Sequence, residues 1–329
     1  MKKIINKSSE VVDDMLEGFS FVHQDLIEKL EGFRVLVSKK NKNQVSLVSG
    51  GGSGHEPAHA GFVGEGMLSA AVCGEVFTSP TPDQILEAIK ASDNGQGVLL
   101  IVKNYTGDVM NFDMAKELAE MEDIKVETVL VDDDIAVEDS TYTAGKRGVA
   151  GTVLVHKILG AYARQGKTLE ELKELGDALV KRIKTIGVAL TAATVPEVGK
   201  PGFELKADEL EYGVGIHGEP GYLREPLKSS KDIAKELVEK LARSFNFKDD
   251  SQYGILVNGL GSTPLMEQYI FFNDVKKEMD TLNVQIEYAK VGNYMTSLDM
   301  LGVSLTIIEF DEDSEVSALK EKVDTPGWE

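Results

Sequence analysis

The feature that most constrains the fold is a series of short apolar runs, separated by stretches whose apolar residues have helical spacing. The run at 97–102 (GVLLIV) is continuously apolar, which is typical of a strand buried on both faces of a parallel sheet. Strands are also predicted at 45–49, 68–77 and 126–131, with helices between and after them. This alternation predicts a mostly parallel α/β sheet with helices on both faces.

The second half of the chain has the same kinds of element in a different proportion. Strands are predicted at 186–190, 210–216 and 253–257 and twice more before the end, with helices at 231–245 and 263–278. Fewer crossover helices indicate a smaller α/β domain with a mixed sheet. The 329 residues suit about two domains, and we predict them at 1–184 and 185–329.

Composition excludes several classes of partner. A formal net charge of −20 argues against nucleic acid and anionic membranes, which require a basic surface. The single cysteine, Cys73, rules out an internal disulfide and is expected to be an apolar filler in a strand, as in a reducing compartment. No long apolar run follows the N-terminal lysines or occurs elsewhere. We expect a cytoplasmic protein that binds neither membrane nor nucleic acid.

Two glycine-rich segments each carry one histidine at the end of a predicted strand. Residues 50–57 read GGGSGHEP, and residues 212–221 read YGVGIHGEPG. Ligands of α/β sheets bind beyond the carboxyl ends of the strands, where glycine lets the backbone approach them closely. We therefore expect His55 and His217 to meet around one small molecule. The glycines and proline beside His217 predict that little side-chain bulk shields its imidazole.

The first segment resembles known glycine motifs without matching any of them. No Lys-Ser/Thr pair follows it, so it is not a P-loop. A dinucleotide-binding motif would need glycine at Pro57, and a serine-hydrolase elbow would need glycine at His55. Two interpretations remain: a loop that brings backbone close to a small polar ligand, or a tight turn in which His55 is incidental.

His217 also has more than one possible role. It could be a turn histidine bonded to backbone, or a nucleophile, ligand or base, because an ordinary imidazole with a pKa of about 6.5 is mostly neutral at physiological pH. A metal site would combine His55 and His217 with His59 and either Glu56 or Glu219.

Further polar residues follow other predicted strands. Lys103 could donate to a ligand oxygen, and Asp108 could be a general base, a hydrogen-bond acceptor or the N-cap of the next helix. The acidic run 132–134 could bind a divalent cation or form a solvated turn. His23 and His156 fall inside predicted helices, where we expect structural or exposed positions.

Six separated motifs, in order, resemble the K subunit of dihydroxyacetone kinases, and the resemblance covers essentially the whole chain. Their number and order make the resemblance far more specific than any single glycine pattern. The motifs are GGGSGHEP (50–57), GEVFTSPTPDQ (74–84), VKNYTGDVMNF (102–112), VDDDIAVED (131–139), YTAGKRGVAGTVL (142–154) and YGVGIHGEPG (212–221).

The resemblance implies an activity and a role for each matching residue. The family phosphorylates dihydroxyacetone to dihydroxyacetone phosphate, and His217 would bind the ketone carbon covalently as a hemiaminal. His55 and Lys103 would hydrogen-bond the substrate hydroxyls. Asp108, helped by His55, would activate the hydroxyl that attacks the phosphoryl donor. The backbone that lines the substrate would be that of Gly52, Ser53 and Gly54.

The resemblance also implies partners. The chain has no nucleotide-binding signature, so we expect it to hold no cofactor or metal. ADP/ATP with a divalent metal is expected on a separate L subunit, recharged by an M subunit of the phosphotransferase system with phosphoenolpyruvate as the ultimate donor. The family implies a homodimer. An alternative is a non-catalytic paralogue that senses dihydroxyacetone and coactivates a transcription regulator; the presence of His55 and Asp108 favours the kinase.

Overall fold

The computed structural model describes residues 2–40, 43–136, 144–245, 247 and 251–328. Parts of two motifs quoted above, residues 137–139 and 142–143, lie outside the described residues. The strands form two six-stranded sheets, and helices pack on both sides. The predicted α/β fold class is therefore confirmed. No helix in the described part of the chain is long and apolar enough to cross a membrane.

The first sheet has the strand order β1-β2-β4-β3-β5-β6. The pairs β4/β3, β3/β5 and β5/β6 are parallel, whereas β1 and β2 form an antiparallel edge. Most of this sheet is parallel, as predicted. Its strands are β1 (Ile27–Lys29), β2 (Val35–Ser38), β3 (Ser46–Ser53), β4 (Ala70–Val76), β5 (Val98–Lys103) and β6 (Val126–Val131), and the helices of this half are α1 (Val11–Val22), α2 (Pro82–Ser92), α3 (Thr106–Met121), α4 (Gly151–Arg164) and α5 (Leu169–Val180).

The continuous apolar character of β5 has a direct structural cause. Leu99 and Ile101 belong to a core with residues of α4 and α5, whereas Leu100 and Val102 belong to a separate core with residues of α2 and α3. Successive side chains of a strand point to opposite faces. Because both faces are covered by helices, all six residues of the strand are buried.

The second sheet has the order β11-β10-β12-β7-β8-β9. Only β10 and β11 pair in parallel, so the mixed sheet is confirmed. Residues of α6 and α7 form a core with one face of this sheet. The elements of this half are β7 (Ile183–Ala189), β8 (Glu209–Tyr212), β9 (Leu223–Pro226), β10 (Gln252–Gly259), β11 (Gln285–Gly292), β12 (Gly302–Phe310), α6 (Ser230–Phe245), α7 (Leu265–Thr281) and α8 (Asp313–Lys320).

Helix α4 lies between the two halves. All its residues from 151 to 163 are buried, and it contacts β3 and β5 of the first sheet, β7 of the second, and helix α8. Helix α8 was not predicted from the sequence. Helix α5 ends at Val180, and β7 begins at Ile183. The domain boundary at 184 stays a prediction.

The glycine run at 50–52 forms strand, not the predicted loop. Strand β3 continues through it to Ser53. A Cβ atom on Gly50 would lie 2.5 Å from the carbonyl oxygen of Val72, and one on Gly52 would lie 2.5 Å from the backbone nitrogen of Thr78. The neighbouring strand and turn pack so closely that any side chain would collide with them. The glycines permit this close packing and do not mark a turn.

Candidate active site

His55 and His217 lie together, as predicted. Their Nε2 atoms are 3.2 Å apart, although the residues are separated by 162 positions in the chain. His55 follows the end of β3 and is fully buried. His217 lies in the turn that follows β8, which ends at Tyr212 and not at 216 as predicted. The two halves of the chain thus each supply one imidazole to the same place.

Hydrogen-bond chemistry fixes the tautomers of this pair. His55 Nδ1 is 2.8 Å from the carbonyl oxygen of Thr296, which can only accept, so Nδ1 carries the proton. The Nε2 atom of neutral His55 therefore keeps its lone pair and accepts from the Nε2–H group of His217. In this state His55 presents an acceptor to the site.

Three aromatic rings surround His217, contrary to the prediction that little bulk shields it. The centroids of Tyr105, His55 and Phe77 lie 4.3, 4.8 and 5.5 Å from that of His217. The glycines beside His217 along the chain did not reveal this packing because the rings come from the first half. The half-buried imidazole is held in an aromatic box and does not project freely.

Burial keeps both imidazoles neutral. It lowers the pKa of His55 to about 3, with the positive charge of Lys103 contributing. Burial likewise holds the pKa of His217 well below its ordinary value, with smaller contributions from His55, Lys103 and Arg147. A neutral imidazole retains one lone pair and can act as a nucleophile or base.

A buried ion network holds the segment that carries His217. The backbone N–H group of His217 donates to Glu219 Oε2 at 2.8 Å. Arg147 donates to the other carboxylate oxygen of Glu219 at 3.2 Å, to the carbonyl of Gly213 at 2.8 Å, and to Asp134. Arg147 and Asp134 are almost completely buried. The loop around His217 is therefore anchored by a charged group from the first half.

The acidic run 132–134 does not form a solvated turn. Asp133 is buried and accepts the N–H groups of Val149 and Gly151, at the start of α4, and the hydroxyl of Thr185 on β7. Burial raises the pKa of Asp134 to about 6, although its partner Arg147 opposes this effect. The carboxylates of Asp133 and Asp134 are engaged by the protein itself, so the expectation of solvated acids was wrong for these two residues.

Lys103 and Asp108 form a second polar cluster. Lys103 Nζ donates to Asp108 Oδ2 at 3.3 Å and to the carbonyl of Gly50 at 3.2 Å, and both side chains are buried. Helix α3 begins at Thr106 with Tyr105 as its N-cap, so Asp108 lies in the first helical turn and is not the N-cap. A Cβ atom on Gly51 would lie 2.3 Å from Lys103 Nζ and 3.4 Å from Asp108 Oδ2. Glycine at 51 leaves room for this pair.

The expected substrate-lining residues lie beside this cluster. Gly52 packs against the backbone of Phe77 and Thr78, and Ser53 donates its hydroxyl to the carbonyl of Gly74 at 2.7 Å. Gly54 approaches Phe77 and Leu298. Their contact with a substrate stays a prediction.

The residues of the suggested metal site are used otherwise. His59 bonds to His156 and Lys103 and not to the His55–His217 pair. Glu56 accepts the N–H group of Gly54, and Glu219 is held by the ion network. No group of three or more His, Cys, Asp or Glu side chains within the described ranges could hold a metal ion. Cys73 is a buried strand residue as predicted, and burial raises its pKa to about 12.

Sequence reasoning missed several residues of this site. Arg147 and Glu219 lie inside quoted motifs, but no local signal connects residues 72 positions apart. Tyr105 and Phe77 also lie in quoted motifs, and nothing in their neighbourhood indicates contact with His217. The contact of His55 with the Thr296 carbonyl involves a backbone atom, so no residue type in the sequence could indicate it.

Comparison with known proteins identifies the family. The model of the Dak1 domain matches residues 17–327. The chain therefore belongs to the Dak1 domain family, and the predicted resemblance to the K subunit of dihydroxyacetone kinases is confirmed.

Its relatives include both an enzyme subunit and a regulator. The chain is 63% identical over 99% of each chain to the PTS-dependent dihydroxyacetone kinase, dihydroxyacetone-binding subunit DhaK, of Lactococcus lactis. It is 43% identical over 93% of each chain to the DhaKLM operon coactivator DhaQ of the same organism. The crystal structure of the dihydroxyacetone kinase of C. freundii matches with a TM-score of 0.90 and 36% identity, over 99% of this chain and 60% of the other.

Proposed function

We propose that this chain is the dihydroxyacetone-binding subunit of a phosphoenolpyruvate-dependent dihydroxyacetone kinase. The observation that carries the proposal is the contact between His55 and His217, with Lys103 at the end of the neighbouring strand β5 and Asp108 paired with it from α3. A lone neutral imidazole could be a structural residue. A pair of neutral imidazoles in contact, close to an ammonium and a carboxylate, is suited to capturing a carbonyl compound that also carries hydroxyls.

Capture begins at His217, as the resemblance implies. In the tautomer with its proton on Nδ1, the Nε2 lone pair forms a bond to the ketone carbon, and the C=O π electrons move to oxygen. That oxygen takes up a proton and the ring releases its Nδ1 proton, so the product is a neutral hemiaminal. Because the Nε2 atom donates to His55 in the free protein, binding requires this hydrogen bond to open and the proton to move to Nδ1. Glycerol has no carbonyl and cannot be captured in this way.

Phosphoryl transfer then uses the second cluster. Asp108, assisted by His55, accepts the proton of the terminal hydroxyl, while Lys103 and His55 hydrogen-bond the substrate oxygens. Such general-base assistance contributes about 10²–10⁴-fold in rate, and a covalent tether adds orientation. The substrate is enclosed by Gly52, Ser53 and Gly54.

The phosphoryl donor is assigned to other proteins. We infer that ADP/ATP with a divalent metal is held by a separate L subunit and recharged through a phosphotransferase-system M subunit, with phosphoenolpyruvate as the ultimate donor. The relative's name, PTS-dependent dihydroxyacetone kinase, supports this arrangement. We also propose a cytoplasmic homodimer with domains at 1–184 and 185–329.

Mass spectrometry of the intact protein with dihydroxyacetone tests the capture step. The wild-type chain should gain one dihydroxyacetone, His217→Ala should gain none, and His23→Ala should behave as wild type because His23 ends α1 far along the chain from both segments. An adduct that persists in His217→Ala would show that another group captures the ketone.

A reconstituted assay tests catalysis. With L and M subunits and phosphoenolpyruvate supplied, wild-type protein should turn over, and Asp108→Asn should keep the adduct while losing about 10²-fold or more in kcat. Undiminished turnover in Asp108→Asn would remove that residue from the base role.

The similarity to the coactivator DhaQ favours one second candidate function, a dihydroxyacetone sensor that acts on a transcription regulator. The two functions share ligand capture and differ in phosphoryl transfer. Adduct formation without turnover in the reconstituted assay would select the sensor.

A further inference from the structure

A second pair of histidines lies within the first half of the chain. His59 stands just before a short 3-10 turn at Ala60–Phe62, and His156 lies within α4. The Nδ1 atom of His59 is 2.9 Å from the Nε2 atom of His156, and Lys103 Nζ is 3.2 Å from the Nε2 atom of His59. His156 and Lys103 are fully buried and His59 almost so. The expectation that His156 is exposed or merely structural did not anticipate this contact.

The chemistry of the groups gives this chain of hydrogen bonds one direction. A lysine ammonium has three donors and no acceptor, so the Nε2 atom of His59 must accept. Neutral His59 then has its proton on Nδ1 and donates to the Nε2 atom of His156 at 2.9 Å. The Ser49 hydroxyl lies 3.4 Å from the Nδ1 atom of His59 and donates its own proton to the Ile101 carbonyl, so it offers only a second, longer acceptor. Neutral His156 consequently carries its own proton on Nδ1, an atom that is buried and has no hydrogen-bond partner among the described residues. Both rings are therefore Nδ1–H tautomers.

The surroundings keep this arrangement neutral. Burial, followed by the charge of Lys103, lowers the pKa of His156 to about 3. The same two causes hold the pKa of His59 well below its ordinary value. Both rings thus remain neutral near physiological pH.

In the free protein all three donors of the Lys103 ammonium are engaged, so a substrate oxygen would have to replace one of these contacts. The three contacts of the ammonium are the carbonyl of Gly50, His59 Nε2 and Asp108 Oδ2, at 3.2, 3.2 and 3.3 Å. Two of these acceptors lie on β3 and α3, whereas His59 lies in a turn, where its ring is held chiefly by the 2.9 Å contact with His156. Without His156, the Nδ1–H group of His59 would keep only the longer contact to Ser49 Oγ, and the ring would hold the ammonium less firmly.

We propose that His59 and His156 are positioning residues that orient the Lys103 ammonium toward Asp108 through a directed hydrogen-bond relay. The relay consists of Lys103, His59 and His156. Its role in catalysis rests on the proposed function, because Lys103 and Asp108 serve there as substrate ligand and base. Neither His59 nor His156 hydrogen-bonds His217 or His55, so substitution of these two residues should affect phosphoryl transfer and not capture.

The first test is independent of any activity. Imidazole ¹⁵N NMR of the uniformly labelled full chain should show both His59 and His156 as neutral Nδ1–H tautomers, with His156→Gln and His59→Gln spectra used for assignment. A proton on Nε2 of either ring would overturn the relay, whatever the protein's activity.

The second test separates positioning from simple support of the fold. His156→Leu removes the acceptor of the His59 proton, whereas His156→Gln offers a side-chain carbonyl in its place. We expect His156→Leu to keep the dihydroxyacetone adduct and lower kcat about tenfold, the effect of losing one hydrogen bond, and His156→Gln to restore most of it. His23→Leu is the matched control and should leave kcat unchanged.

The outcomes distinguish the two proposals. Equal loss in His156→Leu and His156→Gln, or an unchanged kcat in His156→Leu, would overturn the relay as a positioning device. Absence of the adduct or of turnover in wild-type protein would instead contradict the proposed function, and the NMR tautomers would still decide whether the relay exists.

Discussion

His55 follows the end of a buried central strand, whereas His217 lies in a turn that neither sheet includes. The two segments share glycines around one histidine and a following Glu-Pro, yet they are held in place by different forces. Close backbone packing fixes the first, because neighbouring backbone leaves no space for a side chain at 50 or 52. Buried charge fixes the second, through Glu219 and Arg147. Similar local sequence therefore does not imply similar local structure.

The comparison also suggests what each segment can do. Because the first segment continues directly from β3, it can hold a base such as His55 at a constant position and tautomer. A turn held through side chains can change its hydrogen bonds without disturbing a sheet. This suits His217, because it must break its hydrogen bond to His55 before it binds a substrate. Substitutions that remove either kind of support test this division.

Loss of the buried arginine should have the largest effect. Arg147→Met leaves Asp134 and Glu219 buried without their counter-charge, and we expect the free energy of unfolding to fall by about 3–5 kcal/mol. Urea denaturation measures this loss. Arg224→Met is the control: Arg224 pairs with Glu211 but is itself 42% exposed, so its loss should cost less than about 1 kcal/mol. Similar losses in both variants would mean that the buried network does not hold the segment.

Acid should weaken the protein partly through His55. Its pKa is about 3 in the folded protein against 6.5 ordinarily, so between these values the unfolded chain binds more protons. The free energy of unfolding therefore decreases as pH falls below 6.5, by up to about 1.4 kcal/mol per pH unit from this histidine. Urea denaturation from pH 7 to 5 should show a shallower dependence for His55→Gln. Coincident slopes would contradict the inferred burial of a neutral imidazole.

A side chain added to the glycine run at 50–52 should destabilise the protein somewhat less than the loss of Arg147. A Cβ atom at Gly52 would meet the backbone of Phe77 and Thr78 at 2.5–2.7 Å, so Gly52→Ala should destabilise by about 1–3 kcal/mol. Gly18→Ala, in helix α1 with nothing within 4 Å, should instead stabilise by about 0.5–1 kcal/mol. Thermal denaturation distinguishes the two. If Gly52→Ala proved neutral, close packing would not be what fixes this segment.

Local sequence was sufficient for most of the fold. Apolar runs predicted β5, β6 and β12. Prediction from local sequence failed where tertiary packing overrides intrinsic propensity. Glycine is disfavoured in strands, yet β3 runs through three glycines. The three-residue β1 and four-residue β9 are too short to show a period.

The site was only partly predictable for a similar reason. Strand ends indicated His55, Lys103 and Asp108, and the motif resemblance gave them roles. The rings around His217 and the network of Arg147 arise from elements far apart in the chain, so no spacing could reveal them. Burial of Asp133 depends on the start of α4 and on β7, whereas the local sequence shows only three consecutive acids.

The final stretch of the chain has a consequence for how a substrate enters. After α8 packs on α4, the Asp324 and Gly327 N–H groups donate to the carbonyls of Glu65 and Gly61 at 3.0 and 2.7 Å, and the Trp328 ring lies beside Phe62. These contacts hold the last residues of the second half against the first half. A hinge that parted the two sheets to admit a substrate would first have to break these contacts.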